Sequence, residues 1–324
     1  MIRPMTDSIC GSQSSSSFSG IVVVMSQSER CLTMVSDVST VSLDGPIVDA
    51  HVHILPDEIL HAVQDWFARE VSWTLPDVTT TEIGERIATH LDGAVIFPYA
   101  HRPGVAREMN ETVARWHEQL EQTVGLATVH AGDDDPEAII RDGLDSGLQG
   151  IKLHCPVQEF PPDDPRLDPV YELAVNRDLP TIIHASSHPF YRGSEIVGPD
   201  PTARLLARFP DLRLCIPHLG LFETHAFLDL ADEYETLWFD TAVAVGESVH
   251  DLIGTRDDEF PTDRLRTYAD RIMFGSDYPT IPISISYTDL VDATASLFPQ
   301  NQDAIFSANA REFYGIEYSA GDKL

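Results

Sequence analysis

Two histidines separated by one residue end a short apolar run near the start of the chain. Residues 47–53 read Ile-Val-Asp-Ala-His-Val-His, so the run closes with His51 and His53. If the run is a β-strand, positions i and i+2 lie on one face and both imidazoles point the same way. Imidazole nitrogens are common ligands of divalent transition metals, so this strand end supplies half of a metal site.

Other apolar runs also end in side chains that can bind a metal or transfer a proton. A lone histidine in such a place is more often structural than a ligand. That explanation weakens here because most of the predicted strands end in histidine, lysine or aspartate. These residues are His130, Lys152, His154, His184, His218, Asp240 and Asp277.

Short apolar runs that alternate with longer helix-like segments would position these side chains. Several runs carry the Val and Ile typical of buried parallel strands. Eight such units predict an α/β fold of the (β/α)₈ TIM-barrel type, in which the carboxyl ends of all strands meet at one mouth. A doubly wound open sheet is the alternative, but no Gly-x-Gly-x-x-Gly turn follows the first strand. The predicted strands are 46–53, 93–99, 125–130, 149–154, 180–184, 212–218, 236–241 and 272–277, and the helix-like segments include 107–123, 136–146, 166–177 and 200–209.

Two predicted connections are longer than a barrel requires. They follow strands 1 and 7 and cover residues 54–91 and 242–271. Both leave the strand ends at which barrel active sites form. The first contains Trp66 and Trp73, and we expect it to cap the site.

The chain is strongly acidic and poor in lysine. It has 52 acidic and 21 basic residues, a formal net charge of −31, and only two lysines, Lys152 and Lys323. Such a surface repels phosphate backbones and anionic membranes, so neither nucleic acid nor a membrane is expected as a partner. High salt screens the self-repulsion of such a surface, which predicts a halophilic source, with an ordinary acidic protein as the alternative.

Residues 1–44 differ from the rest of the sequence. They include four consecutive serines, 14–17, and little periodicity, which predicts a flexible extension ahead of a barrel domain over 45–324. Met25 and Met34 are candidates for alternative translation starts. The four cysteines show no spacing typical of a disulfide framework or a zinc knuckle. No apolar run is long enough for a membrane span or a signal-peptide core, so the cytoplasm is the expected location.

Five motifs, in this order and spacing, resemble the amidohydrolase superfamily. More narrowly, they are similar to the amidohydrolase-related branch that includes aminocarboxymuconate-semialdehyde decarboxylase. The resemblance spans about residues 46–316, and residues 305–314 match the closing helix of that branch. The motifs are Asp-Ala-His-Val-His at 49–53, Gly-Ile-Lys-Leu-His at 150–154, Ile-Ile-His at 182–184, Pro-His-Leu-Gly at 217–220 and Phe-Gly-Ser-Asp-Tyr-Pro at 274–279.

The resemblance implies roles for the matching residues. His51, His53 and His184 would bind one divalent metal ion. Asp277 would bind the metal or lie beside its water, and His218 would contact water or substrate. Such an ion lowers the pKa of a bound water from 15.7 to roughly 7. In hydrolysis, Asp277 could carry the water's proton to the leaving group and His218 could donate to a developing oxyanion.

Further residues are candidates for substrate binding or support. Lys152 would contact a substrate carboxylate or form a structural ion pair. A third hypothesis is that Lys152 is carboxylated and bridges two metal ions. His154 would line the pocket or support a ligand. Arg102 is a candidate clamp for an anionic substrate. Asp49 shares the strand parity of His51 and His53, so we expect it one layer deeper in the barrel, where its buried carboxylate would orient a ligand imidazole or anchor the barrel.

Three functions remain open at this point. The first is a metal-dependent hydrolase that cleaves an amide, lactone or similar bond in a small molecule, which could carry a carboxylate. The second is a non-oxidative decarboxylase with the same site, in which the metal would hold the substrate's oxygens and His218 would help to protonate carbon. The third, a non-catalytic metal-binding barrel, is disfavoured because His218 and Asp277 are both present. Nitrogen-rich ligation favours Zn²⁺, although Mn²⁺, Fe²⁺ and Co²⁺ fit similar sites, and the resemblance suggests a homodimer.

Overall fold

The computed structural model describes residues 45–188, 190–191, 195–246, 249–251 and 260–316. The predicted N-terminal extension, residues 1–44, lies outside the described residues, so the proposed domain organisation stays a prediction.

Eight parallel strands form the predicted barrel, and each strand pairs with the next one in sequence. Backbone hydrogen bonds between β1 and the segment after β8 join the two ends of the sheet. The amide of Ala50 donates to the carbonyl of Phe274 (2.8 Å), and the amide of Asp277 donates to the carbonyl of His51 (2.9 Å). The doubly wound alternative is therefore wrong. The strands are β1 Val48–His53, β2 Gly93–Phe97, β3 Thr123–Ala127, β4 Gly150–His154, β5 Thr181–His184, β6 Leu214–Ile216, β7 Leu237–Asp240 and β8 Ile272–Met273.

The strands are buried on both faces, which explains why they are near-continuous apolar runs in the sequence. Outward-facing residues pack against the surrounding helices in the larger hydrophobic cluster. A smaller cluster fills the barrel interior and includes Phe313 and Tyr314 of the last helix. The ring of Phe313 lies 5.3 Å from that of Trp238 in β7. The last helix thus closes the amino-terminal end of the barrel.

Helices surround the strands, and their starts follow local sequence signals. Thr79 and Ser286 each form a capping box, and the Asp135 side chain accepts a hydrogen bond from the amide of Ala138. The helices are α1 Asp57–Trp66, α2 Thr80–His90, α3 Ala106–Gln119, α4 Pro136–Asp145, α5 Cys155–Gln158, α6 Asp168–Asn176, α7 Pro199–Arg208, α8 Thr224–Glu233, α9 Thr262–Arg266, α10 Tyr287–Leu297 and α11 Asn309–Tyr314. No helix among the described residues is both long and apolar enough to cross a bilayer.

The long connection after β1 forms a cap, as the sequence predicts. It contains α1, a π-helical turn at Phe67–Val71 and α2. Trp66 stacks on Tyr191, and Trp73 packs edge-on against Phe190, with 5.6 Å between ring centroids in each case. Because Phe190 and Tyr191 follow β5, the cap joins two connections at the carboxyl ends of the strands. Residues 247–248 and 252–259 of the long connection after β7 lie outside the described residues.

Candidate metal centre and active site

A β-bulge in β1 aims the two histidines. Asp49 pairs with Ala94 and Val52 pairs with Ile96, so three steps along β1 match two steps along β2. The extra residue reverses the alternation of side chains. Ala50 therefore belongs to the interior cluster, yet the next residue, His51, also faces the barrel interior. Its ring centroid lies 5.2 Å from that of His53.

The bulge places Asp49 differently from the sequence prediction. The Asp49 carboxylate accepts a hydrogen bond from the hydroxyl of Tyr287 (3.2 Å), the first residue of the outer helix α10. Asp49 thus lies on the outer side of the barrel wall, and the expectation that it lies one layer below His51 and His53 is wrong. That expectation assumed that side chains alternate strictly between the two faces of the strand, and an inserted residue interrupts this alternation.

Asp277 meets both histidines after β8. Its Oδ1 lies 3.0 Å from His53 Nε2 and 3.1 Å from His51 Nε2. One donor atom from each of these three residues lies within 4.8 Å of the other two, so this group could hold a metal ion. Within the described part of the chain, His51 Nε2 and His53 Nδ1 are buried and make no hydrogen bond. A buried nitrogen that faces a carboxylate without a hydrogen-bond partner, as His51 Nε2 does, fits a metal ligand, whereas His53 faces Asp277 with its other nitrogen, Nε2.

The charges in this group also suit a cation. Burial alone would raise the pKa of Asp277, but the adjacent His51 and His53 imidazoles hold it well below its ordinary value. Burial would likewise lower the pKa of His51, but the adjacent Asp240 carboxylate raises it. The pKa of His53 falls to about 4, mainly because the ring is buried. An ionised carboxylate beside a neutral imidazole is a suitable donor set for a divalent ion.

Asp240, at the end of β7, orients two histidines at once. Its Oδ2 accepts a hydrogen bond from Nδ1–H of His51 (2.8 Å), which leaves the lone pair of His51 on Nε2, towards Asp277. Its Oδ1 accepts the backbone amides of His218 (2.9 Å) and Ala242 (3.1 Å). The sequence places Asp240 at a strand end but does not show this supporting role.

His184 and His218 form a second imidazole pair beside the first. His218 Nδ1 lies 2.6 Å from the carbonyl of Ala242 and therefore carries the proton, so its Nε2 accepts a hydrogen bond from His184 Nδ1 at 3.1 Å. The lone pair of His184 is then on Nε2, which is buried and has no hydrogen-bond partner among the described residues. This arrangement fits the predicted role of His184 as a ligand, although His184 lies outside the three-residue donor group.

The backbone is strained where two predicted catalytic residues lie. His218 has φ of 59° and Asp277 has φ of 66°, a left-handed conformation that is uncommon outside glycine. Such conformations cost of order 1–3 kcal/mol each and persist where the surrounding structure enforces them. The Asp240 bond to the His218 amide and the β1 bond to the Asp277 amide provide that enforcement.

The group of His51, His53 and Asp277 opens into a small cavity of about 60 Å³ at the carboxyl end of the barrel. Its walls combine imidazoles with aromatic side chains contributed by the cap and by the loops after β2 and β5. The lining residues are His53, Phe67, Trp73, Tyr99, His154, His184, His188, Phe190, Tyr191, His218, Leu221, Val243, Asp277 and Thr280.

Of the three predicted substrate contacts, His154 lines this cavity. Its ring stacks on that of His184, with centroids 4.2 Å apart. Lys152 is fully buried below the cavity, with Nζ 4.4 Å from the centroid of Phe97, and burial lowers its pKa to about 8. Arg102 is exposed after β2. Neither Lys152 nor Arg102 belongs to the described cavity lining, so direct substrate contact by either has no support in this geometry.

Several residues that shape the cavity had no role assigned to them from the sequence. His188 and Tyr191 follow β5, and Tyr99 follows β2. The only signal available was their place just after a predicted strand end, which does not show whether a side chain turns inward.

The fold and the donor group define the class as a (β/α)₈ barrel with a histidine-rich group that could hold a metal at the carboxyl ends of its strands. More specifically, the chain belongs to the amidohydrolase family, because the Amidohydro_2 (amidohydrolase) family model matches residues 48–316. No curated protein matches the chain.

Solved structures share the fold at low sequence identity. An uncharacterised TIM-barrel protein from Bordetella bronchiseptica is 16% identical, with a TM-score of 0.66 over 83% of this chain and 98% of the other. The 4-oxalomesaconate hydratase of Rhodopseudomonas palustris is 22% identical, with a TM-score of 0.53 over 83% and 95%. A 5-carboxyvanillate decarboxylase from Novosphingobium aromaticivorans, complexed with manganese and 4-hydroxy-3-methoxy-5-nitrobenzoic acid, is 15% identical, with a TM-score of 0.58 over 84% and 97%.

Proposed function

We propose that this protein is a metal-dependent hydrolase that acts on an amide, lactone or similar bond of a small molecule. The observation that carries the proposal is the convergence of His51, His53 and Asp277 donor atoms within 4.8 Å at the inner end of a cavity. Membership of the amidohydrolase family supports it.

His51, His53 and Asp277 would hold one divalent ion, with His184 Nε2 as a further donor. When bound, the ion would supply Lewis acidity towards water or a substrate oxygen. Zn²⁺ is our first choice because imidazole ligands predominate, and Mn²⁺ is the main alternative because a structural neighbour contains it.

The chain's own residues would then manage protons and exclude solvent. Asp277 is ionised and can accept a proton from an attacking water. His218 Nε2 carries a lone pair in this arrangement, so it would first accept a proton and only then donate one to a leaving group. This order refines the prediction that His218 acts as a donor. The aromatic walls would keep bulk water from the reacting groups.

A non-oxidative decarboxylase is the second candidate, and the aromatic cavity lining favours it. Flat aromatic walls suit a planar substrate. One structural neighbour is a decarboxylase complexed with an aromatic acid. In this reaction, His218 Nε2 would first take up a proton from solvent and would then deliver it to the carbon as the bond to the departing carbon dioxide breaks.

One experiment tests the metal dependence and a second separates the two reactions. Chelation should abolish activity, and adding back Zn²⁺ or Mn²⁺ should restore it; undiminished activity of the metal-free protein would overturn both candidates. Incubation with a panel of lactones, amides and aromatic carboxylic acids should give cleavage without carbon dioxide for a hydrolase. Carbon dioxide release would identify a decarboxylase instead.

For partners and location, we propose a small-molecule substrate, no nucleic acid or membrane, a homodimer and a cytoplasmic site of action. These proposals follow from the acidic composition and from the family resemblance.

A further inference from the structure

The Asp49 carboxylate joins three parts of the molecule outside the catalytic cavity. Its Oδ1 accepts the backbone amides of His51 (3.1 Å) and Ser276 (3.0 Å). Its Oδ2 accepts the hydroxyl of Tyr287 at 3.2 Å. The residue is only 1% exposed, and it does not belong to the described lining of the cavity.

The two amides belong to the backbone segments that carry the donor group. The His51 amide lies within the bulge that turns His51 and His53 into the barrel. The Ser276 amide immediately precedes Asp277, whose φ of 66° is uncommon for an aspartate. A single oxygen atom therefore connects the strand that carries the imidazoles to the turn that carries the carboxylate.

Other contacts make this connection specific to the site. The amide of Asp277 donates to the carbonyl of His51 (2.9 Å), and the amide of His53 donates to the carbonyl of Tyr278 (2.8 Å). These bonds set the register between β1 and the segment after β8. Asp49, in contrast, holds the bulge of β1 against the turn that precedes Asp277. A buried carboxylate is tolerated when several donors satisfy it, so its three hydrogen bonds define its position closely.

We propose that Asp49 is a positioning residue that sets the distance between the His51 and His53 imidazoles and the Asp277 carboxylate, acting through the backbone from outside the barrel wall. This inference rests on the proposed metal centre. It predicts that a change at Asp49 alters metal binding in protein that is still folded. A merely structural residue would change the stability alone.

The test compares Asp49→Ala and Asp49→Asn in the full-length protein. Zn²⁺ affinity is measured by competition with a chromophoric chelator, Co²⁺ geometry by the visible absorption spectrum, and folding by circular dichroism. Asp49→Ala should weaken Zn²⁺ binding by about 10–100-fold, the range seen when groups that support metal ligands are removed, and should change the Co²⁺ spectrum. Asp49→Asn keeps an oxygen acceptor for the two amides and should recover most of the affinity.

Asp92→Ala provides a matched control. Its carboxylate also accepts a backbone amide of the β1 region, that of Ile47 (2.9 Å), but at the end of the strand away from the site. This variant should bind Zn²⁺ like the wild type. Equal weakening by Asp92→Ala and Asp49→Ala would overturn the proposal, because any lost contact to β1 would then suffice.

Three further results would decide between the Asp49 proposal and the proposed metal centre. Wild-type Zn²⁺ affinity together with an unchanged Co²⁺ spectrum in folded Asp49→Ala would overturn the proposal. If Asp49→Ala does not fold, Asp49→Ser, which retains one acceptor, takes its place under the same criterion. A wild-type protein that binds neither ion would instead refute the proposed metal centre, which separates the two failures.

Discussion

At the scale of single residues, three histidines of the site have their tautomers set by the group opposite their second nitrogen. Asp240 fixes that of His51, and the carbonyl of Ala242 fixes that of His218 and, through it, that of His184. The imidazoles and Asp277 were predicted as site residues because they end predicted strands. The sequence could not identify the function of Asp240, because which strand-end carboxylate meets which ring depends on the stagger of strands far apart in the sequence.

Asp240→Asn should weaken metal binding without unfolding the barrel. The side-chain oxygen of asparagine can still accept hydrogen bonds from the two backbone amides. Its nitrogen, however, would donate a hydrogen bond to His51 Nδ1, and the ring proton of His51 would move to Nε2. The lone pair needed for a metal would be lost, so we expect Zn²⁺ affinity to fall by about 10–100-fold. Calorimetric titration with Zn²⁺ measures the change, and unchanged affinity would show that Asp240 does not set this tautomer.

His184→Ala and Asp277→Ala should each reduce turnover by at least about 100-fold while the fold remains intact. Both remove groups that face the cavity, one a candidate ligand and the other the proposed proton acceptor. Arg102→Ala is the control, since Arg102 is exposed and lies outside the described cavity lining. Turnover of the best substrate from the panel is the measurement, and activity retained in both variants would place the chemistry elsewhere.

At the scale of elements, the period of the apolar runs predicted the eight strands, and their order follows from β-α alternation. Most predicted boundaries differ from the observed ones by a few residues; the run 272–277, for example, contains a strand of only Ile272–Met273 followed by the turn to Asp277. The bulge in β1 could not be predicted, because the alternation of Asp49, His51 and His53 fits a regular strand equally well. An inserted residue is visible only in the pairing with β2.

Gly275→Ala should disturb the contact between β1 and the segment after β8. A Cβ at Gly275 would lie 2.8 Å from the Cβ of His51, and neither atom is the end of a flexible chain. We expect a loss of stability of about 1–3 kcal/mol, as for overpacked cores, together with weaker Zn²⁺ binding. Chemical denaturation and Zn²⁺ titration measure the two effects.

Gly45→Ala is the corresponding control, because its new Cβ would meet only ordinary contact, with Asp303 Oδ1 at 3.5 Å. Wild-type stability and affinity in Gly275→Ala would mean that β1 can shift without cost to the site.

At the scale of the whole molecule, the large negative charge determines how we expect the stability to depend on salt. A net charge of −31 over 324 residues produces self-repulsion that salt can screen. The screening length falls from about 10 Å at 0.1 M to about 3 Å at 1 M salt. The barrel fold itself does not depend on this charge. The fold was therefore predicted from the alternation of apolar runs with helix-like segments, and the salt response from the acidic composition.

We therefore expect the unfolding temperature to rise between 0.1 and about 2 M KCl. Differential scanning fluorimetry measures this rise, and sucrose in place of KCl distinguishes charge screening from preferential exclusion. An unfolding temperature that is already maximal in dilute buffer would contradict the halophilic interpretation.

The donor group combines β1 with the turn after β8, and His53 and Asp277 are 224 positions apart in the chain. During synthesis, a nascent polypeptide that has not yet extended past Asp277 carries the imidazoles of the proposed centre but lacks the carboxylate that completes the donor group. If the proposed centre binds an ion through all three residues, binding has to wait until nearly the whole barrel has been synthesised. In a cell, ion occupancy would distinguish finished molecules from prematurely terminated ones.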